Sequence, residues 1–176
     1  MSVKTILTEP NKVLRQVSMS VDKVGDEERE LMDDMLDTMY DAPGIGLAAI
    51  QIGVPKRIIV MDISRDENKK EPRYFVNPII RHRNEEKAKY EEGCLSVPDQ
   101  FAEIERPNAC EVEYLDYHGK KQLLKADGLL ATCIQHEMDH LEGILFIDYL
   151  SKLKKSFILK KLSKAKKEDV SDHINF

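Results

Sequence analysis

The spacing of apolar residues predicts three helices. Residues 27–40 carry apolar side chains at every third or fourth position, which is the period of an amphipathic helix, and the polar and helix-breaking residues at 41–44 end it. Residues 129–141 predict a second helix that is apolar enough to be largely buried. Residues 151–167 predict a third. Its expected apolar side consists of Leu153, Phe157, Ile158 and Leu162.

Short apolar runs between these helices predict strands. Two of them lie at residues 57–62 and 74–77, separated by a polar loop. Residues 110–117 and 121–125 predict a hairpin that turns near His118 and Gly119.

Strands and helices without regular β-α-β alternation are typical of an α+β fold. We expect antiparallel or mixed sheets packed around the buried helix at 129–141, with a C-terminal helix. At 176 residues the chain fits one domain, 1–176. Within it we expect a basic C-terminal helix over 151–167 and a flexible tail over 168–176.

Composition places the chain among soluble globular proteins. Hydrophobic residues make up 41% and charged residues 34%, and no apolar run approaches the roughly 18–20 residues that cross a membrane. The N-terminal residues lack the apolar stretch of a signal peptide. The three cysteines are too few for a disulfide framework, which favours a reducing cytoplasm, the mature form of an organellar protein being the alternative.

The net charge of −5 is the sum of two unlike parts. Eight lysines and no acidic residue lie between Lys152 and Lys167, and the rest of the chain carries 19 basic and 32 acidic residues. The acidic total argues against a protein that binds nucleic acid over its whole surface. The basic segment predicts either a solvated helix face or a local RNA-binding surface.

The strongest chemical signal is an H-E-x-x-H motif on the second predicted helix. His136 and His140 are four residues apart, so both imidazoles lie on one face and can reach a single ion. Glu137 lies about 100° around the helix, where it can contact a water on that ion. This arrangement predicts metal-assisted hydrolysis with Glu137 accepting the proton of the water.

A third ligand decides the class of metal site. The metzincin pattern would need a histidine at the position of Phe146. A thermolysin-like site would need a glutamate ligand from the next helix, but the first acidic residue of that helix is Glu168. An ion midway between the two histidines would lie about 7–8 Å along the helix axis from Cys133, which is too far for a cysteine side chain to span, and Cys110 shares the apolar side of a predicted strand. Cys94 remains, next to the flexible Gly93. A Cys/His/His site leaves one position open and is therefore catalytic.

Residues 44–49, G-I-G-L-A-A, match the consensus sequence of the dinucleotide-binding fingerprint, G-x-G-x-x-A, but not its structural context. The fingerprint follows a strand and opens a helix, whereas this segment follows a helix. We interpret the small residues as a place where the backbone of a ligand approaches closely, with Gln51 as an amide donor.

Three segments taken together resemble peptide deformylase. They are residues 44–51 (GIGLAAIQ), 92–96 (EGCLS) and 135–140 (QHEMDH), in the order and spacing of that family. The helical C-terminus is similar to that of the bacterial type with a C-terminal helix. Phe101 departs from the family, in which a basic residue is common at this position.

The resemblance implies removal of the formyl group from N-terminal formylmethionine of nascent polypeptides, releasing formate. Cys94, His136 and His140 would bind the metal, and Glu137 would act as general base and then general acid. The amide of Gln51 and the backbone N–H of Leu95 would stabilise the oxyanion.

The resemblance also implies a substrate site and residues that support the metal ligands. Segments containing Gly44, Gly46, Glu92 and Gly93 would pair with the peptide backbone. A methionine pocket would be lined by Ile45, Leu129 and Cys133. Asp139 and Glu92 would orient the metal ligands.

The expected cofactor is one divalent ion, Fe²⁺ in the cell, with Zn²⁺, Ni²⁺ or Co²⁺ as alternatives in a purified sample. The expected partners are N-formylmethionyl nascent peptides and, through 152–167, the ribosome; we expect a monomer and no membrane. Three other hypotheses stay open here: a metal-dependent peptidase or amidase of another family, a ribosome-binding relative without activity, and a thiol hydrolase with Cys94 as nucleophile and His136 as base.

Overall fold

The computed structural model describes residues 2–64 and 66–174, with side chains through Ala165. Its described residues form three long helices and seven strands. The helices are α1 (Asp26–Asp41), α2 (Gly128–Leu141) and α3 (Lys152–Ile174), with short 3-10 helices at Lys12–Arg15, Ala49–Ile52 and Phe146–Tyr149. No helix within the described residues is long and apolar enough to cross a membrane.

The strands form two antiparallel sheets. The larger sheet has the order β1-β2-β3-β6-β7, its strands being β1 (Gly46–Ala48), β2 (Ile58–Met61), β3 (Arg73–Arg83), β6 (Ala109–Leu115) and β7 (Lys121–Asp127). The smaller sheet pairs β4 (Lys87–Cys94) with β5 (Val97–Pro107). The predicted α+β class and the predicted hairpin, now β6 and β7, are confirmed.

The larger sheet is covered by α1 on one face and by α2 on the other. Strand β2 is apolar at four consecutive positions because both of its faces are buried. Ile58 and Val60 pack in one cluster with Met32 and Met35 of α1. Ile59, from the opposite face of β2, packs in a second cluster with residues of α2.

Helix α2 is the centre of the molecule. Ten of its 14 residues are buried, which confirms the buried helix predicted for 129–141. Ala131, Ile134 and Met138 pack against Phe75 and Val112 of the sheet. The helix also contacts β5. Side chains on α2 therefore face both sheets, and its polar residues lie between them.

Helix α3 docks through a narrower stripe than expected. Ile158 and Leu162 pack against Phe146 and its neighbours. Leu153 and Phe157 are 71% and 59% exposed, so the prediction that they belong to the docked side is wrong. They lie about 100–140° around the helix from Ile158 and form a separate stripe.

The backbone of α3 continues to Ile174, past residue 167 where we expected the helix to end. No glycine or proline interrupts this segment. The single domain over 1–176 and the flexible tail over 168–176 stay predictions, and residues 175–176 lie outside the described residues.

Candidate metal centre

Strand β4 and helix α2 bring three metal-ligating residues together. Cys94 is the last residue of β4, and His136 and His140 lie one turn apart on α2. One ligand atom from each lies within 4.8 Å of the other two, and the Cys94 Sγ is 3.4 Å from the His140 Nε2. Cys133 is a buried residue of the core and Cys110 is also in the core, as expected.

These three residues fit a single divalent ion. Bonds of about 2.0–2.3 Å to nitrogen and sulfur place the ligand atoms of a tetrahedral site about 3.3–3.8 Å apart, and the separation of Cys94 from His140 falls in this range. Burial lowers the pKa of His140 well below its ordinary value, which keeps the imidazole neutral and able to ligate. The donor set of one sulfur and two nitrogens suits zinc or ferrous iron.

Glu137 lies beside the metal ligands, and one of its carboxylate oxygens has no hydrogen-bond partner among the described residues. Its Oε1 is 3.7 Å from the His136 Nε2, and its Oε2 is buried without a hydrogen-bond partner among the described residues. Burial raises the pKa of Glu137 to about 7. A Cβ atom on Gly46 of β1 would lie 3.0 Å from the Glu137 side chain, so only glycine lets β1 approach α2 this closely.

Gln51 is fixed at the edge of the same centre. Its side chain is almost fully buried, and its Oε1 accepts a hydrogen bond from the Ala48 backbone N–H at 2.9 Å. Its Nε2 donates to the Ser96 Oγ at 3.0 Å and lies 3.6 Å from the Cys94 Sγ. Sequence reasoning missed Ser96. The contacts aim the Gln51 amide at the side of the centre where Cys94 lies.

The side chain of Glu92 contacts the metal ligand His136. Its Oε1 is 2.8 Å from the His136 Nδ1, and both of its oxygens accept hydrogen bonds from Arg106. Burial alone would raise the pKa of Glu92, but the hydrogen bonds with His136 and Arg106 outweigh it and the pKa is lowered. Glu92 is thus a charged acceptor that fixes the orientation of the His136 ring.

Arg106 extends this network to the C-terminal part of the chain. Its Nη1 donates to the Asp139 Oδ2 at 2.9 Å, and the Tyr149 hydroxyl donates to the same oxygen at 2.7 Å. Asp139 therefore contacts Arg106 rather than a metal ligand. Sequence reasoning missed Arg106 and Tyr149. Arg106 lies two residues after the buried Ile104 on β5, and this spacing places both side chains on the inner face of the strand.

A cavity of about 520 Å³ opens in front of the metal centre. Its walls come from the loop before β1, the end of β4, the start of β5 and α2. The cavity brings together the predicted residues Gly44, Ile45, Gly46, Gln51, Glu92, Gly93, Cys94, Leu95, Cys133, His136 and Glu137. Leu129 was expected in the methionine pocket but does not line the cavity, because it lies one turn, about 6 Å, before Cys133. Thr132 lines it and was missed.

The fold and the site together define a class: a mononuclear metallohydrolase with two histidines of an H-E-x-x-H helix and a cysteine from a neighbouring strand as ligands. Comparison with known proteins identifies the family within this class. The family model described as polypeptide deformylase matches residues 3–156.

Curated relatives match over almost the whole chain. The peptide deformylase of Pelagibacter ubique (strain HTCC1062) is 86% identical over 166 residues, which are 94% of this chain and 96% of the relative. The peptide deformylase of Rhizobium meliloti (strain 1021) is 56% identical over 167 residues, 95% of this chain and 96% of the relative.

Solved structures agree with this result. The crystal structure of peptide deformylase from Ehrlichia chaffeensis has a TM-score of 0.92 at 44% identity and covers 96% of this chain and 99% of its own. A complex of the peptide deformylase from Ehrlichia chaffeensis with actinonin has a TM-score of 0.88 at 47% identity, covering 94% and 98%. The chain belongs to the polypeptide deformylase family, and it is an enzyme of that class.

Proposed function

We propose that this enzyme hydrolyses the formamide bond of N-formylmethionyl peptides, giving formate and a free α-amine. The observation that carries the proposal is the Glu137 Oε2, a buried carboxylate oxygen without a partner among the described residues, beside three convergent metal ligands. The cavity in front of it is wide enough for an extended peptide end. The matches to peptide deformylases support the choice of substrate.

Cys94, His136 and His140 would hold the ion, for which we propose Fe²⁺ in the cell. Zn²⁺, Ni²⁺ or Co²⁺ can occupy the same ligands in a purified sample, because a site of one sulfur and two nitrogens accepts several divalent ions and metal availability decides which one is bound. When bound, the ion activates a water molecule and polarises the formyl oxygen. With these three residues as ligands, one coordination position would stay open for that chemistry.

Glu137 moves the proton in both halves of the reaction. Its Oε2 takes a proton from the attacking water and then delivers it to the nitrogen of the leaving amine. Its Oε1 lies 3.7 Å from the His136 Nε2, the ring nitrogen that faces the ion site, so the carboxylate lies directly beside the position of the ion. A pKa near 7 lets the same group accept and donate a proton around neutral pH.

Gln51 and Leu95 stabilise the oxygen of the formyl group as it becomes an oxyanion. The Gln51 Nε2 lies 3.6 Å from the Cys94 Sγ at the wall of the cavity, and we assign the second donor to the Leu95 backbone N–H at the turn after β4. A single donor of this kind contributes about 2.7–4 kcal/mol of transition-state stabilisation.

The peptide enters as an added strand. Strand β1 is an edge strand of its sheet, so its second edge can pair with the backbone of the substrate near Gly44 and Gly46. Gly93 of β4 lies on another wall of the cavity. We assign the methionine side chain to the apolar wall formed by Ile45, Thr132 and Cys133.

We further propose that the enzyme works in the cytoplasm as a monomer and binds the ribosome through α3. Support comes from the eight lysines of 152–167 and from the exposed Leu153 and Phe157 on the same helix. A basic helix on an acidic body would direct α3 toward ribosomal RNA and the cavity toward the nascent chain.

The experiment compares formate release from formyl-Met-Ala-Ser and acetyl-Met-Ala-Ser with enzyme purified anaerobically. Rapid release from the formylated peptide and little cleavage of the acetylated one supports the proposal. Equal cleavage of both peptides would indicate an amidase of wider range. Persistence of activity after phenanthroline treatment, with loss on alkylation of Cys94, would instead favour the thiol mechanism.

A further inference from the structure

One wall of the cavity is formed by an exposed aromatic side chain. Phe101 of β5 is 64% exposed and lines the cavity mouth. It pairs with Gly93 of β4, where a Cβ atom would lie 2.6 Å from the Phe101 ring. One face of the Phe101 ring therefore covers Gly93, and the opposite face of the ring is exposed to solvent. An exposed aromatic face at the mouth of a catalytic cavity is a surface for the substrate.

Two carboxylates flank this ring. Glu91 lies two residues from Gly93 on β4, so it is the diagonal neighbour of Phe101 on the same face of the hairpin. Asp99 lies in the bulge between Val97, which pairs with Cys94, and Phe101. Its left-handed backbone, φ +61°, is part of the turn that carries residues 98–100 along the cavity wall.

The charged side chains at the mouth of the cavity are carboxylates. Glu91 and Asp99 line it and are exposed, and neither takes part in an ion pair with the side chains that the structure describes. Among the described residues, no lysine or arginine lines the cavity. Glu103 lies on the same hairpin face as Glu91 but outside the cavity, and it pairs with Lys89 at 3.9 Å.

We propose that Phe101, Glu91 and Asp99 form a subsite that selects formylated peptides with lysine or arginine at the first or second position after methionine, and that disfavours aspartate and glutamate there. This inference rests on the proposed function. The aliphatic stem of a lysine or arginine packs on the Phe101 ring, and its cationic group reaches the ring face and the two carboxylates. An acidic side chain at the same place meets two like charges.

The size of the effect follows from the exposure of the subsite. Exposed ion pairs and exposed cation–π contacts each contribute modestly. We therefore expect kcat/KM for a lysine peptide to exceed that for the matched glutamate peptide by about three- to tenfold at low salt. The difference is expected in KM rather than kcat, because these contacts form equally in the bound substrate and in the transition state.

The test measures formate release from formyl-Met-X-Ala-Ser and formyl-Met-Ala-X-Ser, with X as lysine, glutamine or glutamate, at 20 and 500 mM NaCl (about 20 and 4 Å Debye length). The expected order is lysine, glutamine, glutamate in at least one position, with a smaller spread at high salt. Equal KM values for the three residues at both positions, or a preference for glutamate, would overturn the proposal.

Matched variants separate the subsite from the general charge of the protein. Glu91→Gln combined with Asp99→Asn is expected to reduce the lysine-to-glutamate ratio at least threefold, and Asn tolerates the left-handed backbone at 99. Phe101→Ala is expected to weaken binding of the lysine peptide, and Phe101→Leu to restore only the part due to apolar packing. Glu103→Gln removes one charge from the same hairpin face outside the cavity.

The ratio is expected to stay at the wild-type value in Glu103→Gln. The same change of ratio in Glu103→Gln and in the double variant would contradict the subsite. If no formylated peptide of any sequence releases formate, the proposed function fails; if all release it with equal KM values, only the subsite fails.

Discussion

The Nδ1 atom of His136 lies 2.8 Å from the Oε1 of Glu92, and the same carboxylate is held by two hydrogen bonds from Arg106. This contact links β4, β5 and α2 at the metal centre. Since the other ring nitrogen of His136 faces the ion site, Glu92 determines which nitrogen is free to ligate and in which direction it points.

Glu92→Gln keeps the shape of the side chain and removes its charge. We expect metal affinity to fall about 10–100-fold, because the ring of His136 loses a charged acceptor. Competition with a fluorescent zinc chelator measures this directly. Tyr149→Phe removes only the far end of the network and serves as the control. Unchanged zinc affinity in Glu92→Gln would contradict the role assigned to Glu92.

Gly46→Ala tests the close approach of β1 to α2. The new methyl group would lie 3.0 Å from the Glu137 side chain and 3.1 Å from the Cys133 Sγ. We expect it to displace Glu137 and to lower kcat about 100-fold, with the metal content retained. Gly25→Ala, where the nearest atom is at 3.4 Å, is the matched control. Wild-type kcat in Gly46→Ala would rule out this constraint.

Gln51→Ala tests the proposed oxyanion donor. We expect kcat to fall about 10²–10³-fold while metal content, measured by atomic emission, is unchanged. Ser96→Ala removes the partner of the Gln51 amide but leaves the amide in place, so its kcat is expected to fall less. An unchanged kcat in Gln51→Ala would remove Gln51 from the mechanism.

Asp148 links the N-terminal segment to α3. It accepts hydrogen bonds from Arg15 at 2.6 Å and from Lys155 at 2.8 Å. Burial alone would raise the pKa of Asp148, but these hydrogen bonds outweigh it and the pKa is lowered. The resulting stabilisation is present above the unfolded pKa of about 3.9 and is lost as the pH falls through the folded pKa.

We therefore expect Asp148→Asn to lower the free energy of unfolding by about 1 kcal/mol at pH 7. The difference from the wild type should become smaller as the pH falls below the unfolded pKa and through the lower folded pKa. Urea unfolding of both proteins from pH 7 to pH 2.5 measures it. A difference that is constant over this range would show that the charge of Asp148 is not responsible.

The ribosome proposal is tested best by substitution in α3. Truncation after Leu150 would also remove Ile158 and Leu162, which are buried against the domain. Lys160→Gln, Lys161→Gln and Lys164→Gln change exposed residues only, and we expect them to weaken ribosome binding and its dependence on salt. Co-sedimentation with ribosomes measures this, with Lys155→Gln as a control at a lysine paired with Asp148. Equal affinity of the triple variant and the wild type would contradict the proposal.

The sequence was sufficient to predict the metal ligands because their pattern is local. The spacing of His136 and His140 is fixed by the helical period, and Cys94 followed from the exclusion of Cys110 and Cys133. The helices at 27–40 and 129–141 and the hairpin β6–β7 were predicted for the same reason, since their apolar periodicity is strong within a single element.

The sequence analysis did not predict β1, β4 or β5, and it missed contacts between distant parts of the chain. Strands β4 and β5 carry many charged residues because one face of this small sheet is exposed, and β1 is only three residues long. The pairing of Arg106 with Glu92 and Asp139 joins three elements, so no local pattern reports it. The exposure of Leu153 and Phe157 likewise depends on which stripe of α3 faces Phe146, which composition does not determine.

We expect one metal ion, held by Cys94, His136 and His140, to be required for hydrolysis of formylated peptides. Metal-free enzyme is titrated anaerobically with Fe²⁺, and formate release from formyl-Met-Ala-Ser is followed at each addition. We predict no activity without metal and a linear rise that ends at one ion per chain. Full activity in the metal-free enzyme, or saturation at a different stoichiometry, would contradict the account.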